Sequence, residues 1–194
     1  MTANALLRFR GSLVAIAAAA SLAACDERSA LGPEEGAAVS TAALAPARLP
    51  DLDTCDELQV DEGSKLVFHA YAEGVQIYQW DGGSWVFRGP SATLYANAGG
   101  TGVVGIHYGG PTWESQSGGL VVGTLNTPCE RGPADIPWLL LDVVRTEGPG
   151  IFHRVASIQR VNTVGGRAPT TAGSFPGEVR NVAYTAEYYF YRAP

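Results

Sequence analysis

Tyr184-Thr185-Ala186-Glu187-Tyr188-Tyr189-Phe190-Tyr191 is the stretch on which the fold turns. Side chains of a strand alternate between faces with a period of two. Tyr184, Ala186, Tyr188 and Phe190 therefore share one face, and Thr185, Glu187, Tyr189 and Tyr191 the other. Both faces are rich in aromatic residues, which strands favour. One face is expected to pack a core. The second must be covered as well, or must line a groove in which Glu187 sits among tyrosines.

Upstream of this segment, short apolar and aromatic runs alternate with Gly, Asn, Asp and Pro, the pattern of successive strands joined by tight turns. Strands are expected at residues 66–72, 75–80, 84–88, 92–95, 103–108, 120–125, 138–145, 151–164 and 184–191. Asp81-Gly82-Gly83 is a hairpin turn, because glycine tolerates the positive φ that primed turns demand. The apolar run Trp138 to Val144 is ambiguous between a buried strand and a short buried helix. No segment carries a helical stripe of useful length. The expected fold is all-β, a single-domain β-sandwich or barrel of about nine strands over residues 51–194.

The first 24 residues have a different character. Arg8 and Arg10 precede an apolar stretch running from Ser12 to Ala24, the layout of an export signal and too short for the roughly 20 residues that a membrane-spanning helix needs. It ends in Leu22-Ala23-Ala24-Cys25, which resembles the lipobox of bacterial lipoproteins, in which the cysteine becomes the lipidated first residue. An ordinary secretory signal with Cys25 as a bystander is the alternative. Cysteine arithmetic favours lipidation: of three cysteines, Cys25 would be used by the lipid, leaving Cys55 and Cys129 as an even pair able to form a disulfide in an oxidising compartment. Residues 25–50 are rich in Ala, Pro, Glu and Ser and lack aromatics, as expected of a flexible tether.

Charge narrows the partners. There are 13 Lys and Arg against 19 Asp and Glu, and no basic cluster, so nucleic acid is not an expected partner. Loss of the leader removes two arginines and leaves 11 bases against 19 acids, a net charge of −8. Such a domain does not bind anionic headgroups by itself, so attachment to the membrane is expected through the lipid anchor on Cys25.

Complete catalytic signatures are missing. Gly100-Thr-Gly-Val-Val-Gly105 spells the dinucleotide fingerprint, but a strand-like Ile106-His107-Tyr108 follows where a helix N-terminus is required, so it is read as a turn. No Gly-x-Ser-x-Gly, His-Glu-x-x-His or Cys-x-x-Cys occurs. The block with most chemistry is His107-Tyr-Gly-Gly-Pro-Thr-Trp-Glu114, where an imidazole and a carboxylate flank a sharp turn and could face one another as an acid–base pair. His107 as a strand cap and Glu114 as a solvated acid is the bland alternative. Trp113, in this Gly-rich turn, is expected to be exposed and to serve in binding. His69, His107 and His153 all fall in expected strands, but no metal site and no cofactor is assigned. Asp142, embedded in an apolar run, is expected to pair with Arg160 or Arg167, because an unpaired buried carboxylate is costly.

Several blocks together resemble the exported, mostly β family catalogued as domain of unknown function 3455. They are Gly74-Val-Gln-Ile-Tyr78, Gly89-Pro-Ser-Ala-Thr-Leu94, the His107 to Glu114 block, Ile136-Pro-Trp-Leu-Leu-Leu141, Ile158 to Pro169 and the Tyr184 to Tyr191 strand. The resemblance spans roughly residues 66–192. It implies the fold and an exported location and supplies no catalytic residues. Many members carry cysteines where this chain has Trp80 and the Thr170 to Gly173 stretch, so Cys55 and Cys129 would form a different staple.

The expectation for function is a lipid-anchored cell-envelope protein, periplasmic or on the outer face, that binds a small molecule or glycan without turnover. Trp113, Glu187 and Tyr189 are the candidate binding residues. The alternative is an envelope hydrolase or lyase using His107 and Glu114, assisted by Glu187 or His153.

Overall fold

The structure, a computed structural model, describes residues 48–194. Cys25, the leader and nearly all of the tether lie outside the described residues. Within them eight strands run β1 (Lys65–Trp80), β2 (Trp85–Tyr95), β3 (Val103–Tyr108), β4 (Thr112–Ser115), β5 (Leu120–Cys129), β6 (Trp138–Glu147), β7 (Val155–Gly165) and β8 (Val179–Arg192). Each pairs antiparallel with the next, and β8 returns to pair with β1, so one sheet closes into an up-and-down barrel. Closure removes the exposed edges that an open sheet would have to protect. The expected all-β domain is found, as a barrel.

The strand count differs from the expected nine for local reasons. Gly74 does not break β1; its missing Cβ lets the Ser91–Ala92 backbone of β2 approach so closely that a Cβ would lie 2.2 Å from the Ser91 carbonyl oxygen. Gly89-Pro90 likewise sits inside β2, where Ile77 pairs with Gly89 and Tyr78 with Phe87, leaving Arg88 as a bulge. Two expected pairs of strands thereby merge into two long ones. β4 was not expected, since only four residues form it. Ile151 to Arg154 form a turn ahead of β7 instead of its beginning. Gly100 and Gly102, with φ of 66° and 69°, belong to the β2–β3 loop, and strand β3 follows them.

Two cores stabilise the barrel. Inside it, Phe68, Phe152 and Phe190 pack against one another with centroids 4.9–6.0 Å apart, and Phe152 reaches in from the β6–β7 turn to stopper that end. Leu94, Trp113, Val121, Ile158, Tyr184 and Tyr188 continue this core along the axis. Outside it, the segment before β1 folds as a strap with a short 3₁₀ turn at Asp56–Leu58. Leu52, Cys55, Leu58 and Val60 from the strap cover Trp138, Leu140, Val161, Tyr189 and Tyr191. Cys55 is joined to Cys129 at the end of β5 by a disulfide. Gln159 anchors the strap from within: its Nε2 donates to the Leu58 carbonyl at 2.6 Å, and the Tyr191 hydroxyl donates to its Oε1 at 2.6 Å. Arg131 closes the strap's other edge, lying 4.7 Å over the Trp138 ring and pairing with Asp53.

The strap explains why both faces of β8 are apolar. Tyr184, Ala186, Tyr188 and Phe190 point into the barrel, whereas Tyr189 and Tyr191 lie under the strap. It also explains Asp142. In β6, Leu139, Leu141 and Val143 point inward, and Trp138 and Leu140 lie beneath the strap. Asp142 is the first outward position past the strap's edge, and it is exposed. Its expected arginine partner is therefore corrected: both carboxylate oxygens accept from Asn126 Nδ2 at 2.9 Å. Arg160 and Arg167 instead donate to the carbonyls of Pro137 and Asp135.

Trp80 and Gly173 are neighbours in space. A Cβ built on Gly173 would lie 2.5 Å from Trp80 Cγ, so the indole fills the room that a second side chain would need.

Candidate functional site

The end of the barrel opposite Phe152 is not filled. There, between the β1–β2, β3–β4 and β5–β6 connections, a cavity of about 170 Å³ opens to solvent past Phe87, Arg88, Gly110, Pro111 and Leu125. Eight-stranded barrels have interiors just wide enough to be filled by side chains or to hold one small ligand. Here the half around Phe152 is filled by side chains, and the other end is left open. Trp113 is the floor of the cavity, packed edge-on against Phe190 of the stoppered half. Leu139, Leu141 and Pro90 form apolar wall, and Gln76, His107, Arg160 and Tyr188 bring polar atoms to it.

Several polar atoms at and beside the cavity are left unpaired. Gln76 Nε2, Trp113 Nε1 and the hydroxyls of Tyr184 and Tyr188 are buried without a hydrogen-bond partner. A buried donor without a partner costs about 1–3 kcal/mol, so natural folds rarely keep several together without a use for them. Burial pushes the Tyr188 hydroxyl up, opposed by the nearby Arg160 guanidinium, so the hydroxyl keeps its proton as a donor.

His107 is 3% exposed and stacks on Trp113 at 4.3 Å with the rings 9° apart. Its Nδ1 lies 2.8 Å from the Thr112 carbonyl, which can only accept; Nδ1 therefore carries the proton and Nε2 the lone pair. Burial is the main reason that its pKa falls to about 3, and the Arg160 charge pushes in the same direction.

The expected pairing of His107 with Glu114 does not form. Three residues, Gly109 to Pro111, turn the β3–β4 hairpin, so His107 pairs with Trp113 and Ile106 with Glu114. Positions 107 and 114 consequently fall on opposite faces of the sheet. His107 points inward, while Glu114 is exposed outside and accepts from the Tyr108 hydroxyl at 3.1 Å. The same parity corrects the expected exposure of Trp113, which is only 1% exposed. His69 lies on the outer face of β1 and His153 in the β6–β7 turn, so the three histidines do not converge.

Glu187 and Tyr189 lie on the outer face, apart from the cavity. Glu187 accepts from His69 Nε2 at 2.8 Å, Asn162 Nδ2 at 2.9 Å and the Tyr189 hydroxyl at 2.8 Å. The His69 hydrogen bond, ahead of the others, holds its carboxyl below the usual range. His69 stacks on Tyr189 at 4.0 Å and leans on Tyr71 at 4.6 Å. The expected acid among tyrosines is present, and its acceptor capacity is taken up by three donors.

Gln76 and Arg160, which line the cavity, were not among the expected site residues. Gln76 was legible as the polar exception on a face otherwise made of Ala70, Ala72 and Gly74. Arg160 was not, because its neighbour Gln159 is polar too and the two faces of β7 look alike there.

Fold and cavity together define a closed up-and-down β-barrel with a mouth at one end and a lined interior. The chain belongs to the family described as protein of unknown function DUF3455, whose model matches residues 61–192. No curated protein and no solved structure matches it. Cys129 falls within the matched residues and Cys55 before them.

Proposed function

We propose that this barrel is a small-molecule-binding protein of the cell envelope, held there by a lipid on Cys25 and carrying its ligand in the cavity floored by Trp113. The observation that carries this reading is a solvent-open cavity lined by buried polar atoms that have no partner within the protein. A ligand that satisfied them would recover the desolvation already incurred in folding. The cavity's neutral His107 and the separation of that residue from Glu114 favour holding over turnover. The Cys55–Cys129 disulfide is of a kind that persists in oxidising compartments and so supports export.

The test of binding is a thermal-shift and Trp-fluorescence screen of small aromatic and short-chain compounds against the full-length protein and a Leu139→Trp variant, which fills the cavity from its wall. Ligands are expected to raise the melting temperature of the parent and to leave the folded variant unmoved; equal shifts in both would sink the reading. Anchoring is tested separately. Cys25→Ser is expected to move the protein from the detergent phase to the aqueous phase on Triton X-114 partition, and an unchanged distribution would remove the lipid.

A further inference from the structure

The charges around the cavity identify the class of molecule it takes, an inference that rests on the binding function proposed above. The whole chain is acidic, with 19 Asp and Glu against 13 Lys and Arg. Yet the only ionisable lining side chains besides His107 and Tyr188 are Arg88 at the rim and Arg160 in the wall, and no Asp or Glu lines the cavity. Arg160 makes no ion pair among the described residues. Its Nε and one terminal nitrogen donate to the Pro137 carbonyl at 3.2 and 2.8 Å, and the Tyr188 hydroxyl lies close to the same guanidinium. A half-buried guanidinium without a counter-ion is unusual, since charges taken out of water are ordinarily paired.

The unpartnered groups beside it are donors. Gln76 Nε2, Trp113 Nε1 and Tyr188 Oη all have hydrogens to give. His107 neither cancels the positive field nor adds to it, because it stays neutral, with its proton on the Nδ1 that faces the Thr112 carbonyl. The Arg160 cation in the wall and three neutral donors beside it, with a second cation, Arg88, at the rim and Phe87, Leu125, Leu139 and Leu141 around them, match a compact apolar body ending in an anionic acceptor. The planar fork of arginine favours a planar carboxylate that it can meet through two oxygens. The volume sets the size of the body: a cavity of about 150 Å³ accommodates a benzene ring.

We infer that the cavity binds a small monocarboxylate with an aromatic or short aliphatic body, its carboxylate held by Arg160 together with Gln76, Trp113 and Tyr188.

Titration calorimetry on the full-length protein with benzoate, hexanoate, benzamide and toluene distinguishes this class from mere cavity filling. Benzoate is expected to bind at least roughly tenfold more tightly than its neutral isostere benzamide, the margin typical of a charge-assisted hydrogen bond. Arg160→Met is expected to erase that margin while toluene binding persists, which shows that the variant still folds around its cavity. Arg160→Lys, which keeps the charge and loses the fork, should fall between the two. Benzamide and toluene binding as well as benzoate in the parent would overturn the carboxylate class and leave the binding function standing. Failure of all four probes to bind would overturn both.

Discussion

Loss of the Cys55–Cys129 disulfide is expected to lower the unfolding free energy by about 4 kcal/mol. The bond spans a sequence separation of 74 residues, and closing a loop of that size removes entropy from the unfolded chain worth roughly 4–5 kcal/mol in the chain-entropy model. The native state feels the change as well, because Leu58 is held over Tyr191 and Trp138 by a strap whose covalent attachment to the barrel wall is this bond. The measurement is urea unfolding of the parent with and without reductant, beside a Cys55→Ala/Cys129→Ala variant. Reduced parent and variant should unfold together, well below the oxidised parent. A midpoint difference equivalent to less than about 1 kcal/mol would show that the strap holds itself down by packing alone.

Acid is the second lever, and it acts through His107. In the unfolded chain this imidazole titrates near 6.5, and in the folded barrel near 3. Between those values the unfolded state binds a proton that the folded state refuses, so stability is fully present above about pH 6.5 and falls as the pH drops toward 3. Each pH unit in that window is worth about 1.4 kcal/mol, so acidifying to pH 4 should cost roughly 3 kcal/mol. Glu187 works in the same direction at lower pH, since its depressed carboxyl loses stability only as it becomes protonated. His107→Asn separates the two. Asparagine can still donate to the Thr112 carbonyl but does not titrate, so it should be the less pH-sensitive protein by about 3 kcal/mol between pH 7 and pH 4. Parallel pH curves for parent and variant would locate the acid sensitivity elsewhere.

Much of the fold was legible because its decisive pattern is local. The two aromatic faces of β8 announced a strand covered on both sides, and the barrel interior and the strap are those two covers. The apolar run before Asp142 fitted a buried strand as well as a short buried helix, and a sequence does not display where the cover over β6 ends. The acid therefore looked buried, when it stands one position past that edge. The candidate site suffered from the same sensitivity to parity. His107, Trp113 and Glu114 were the right neighbourhood, yet a hairpin turned by three residues puts the first two inside and the third outside. A turn one residue longer or shorter would have paired them differently. The cavity itself left no local mark, because its lining is gathered from all eight strands, and an unfilled volume has no residue of its own.

The phenylalanine cluster around Phe152 makes the barrel a cup and not a tube. Whatever enters past Phe87 and Leu125 must leave by the same doorway, so arrival and departure compete for one gap and nothing can be passed through from one side to the other. If the proposed ligand binds there, a bulky residue placed at that rim would slow filling and emptying by the same factor without altering how tightly the contents are held.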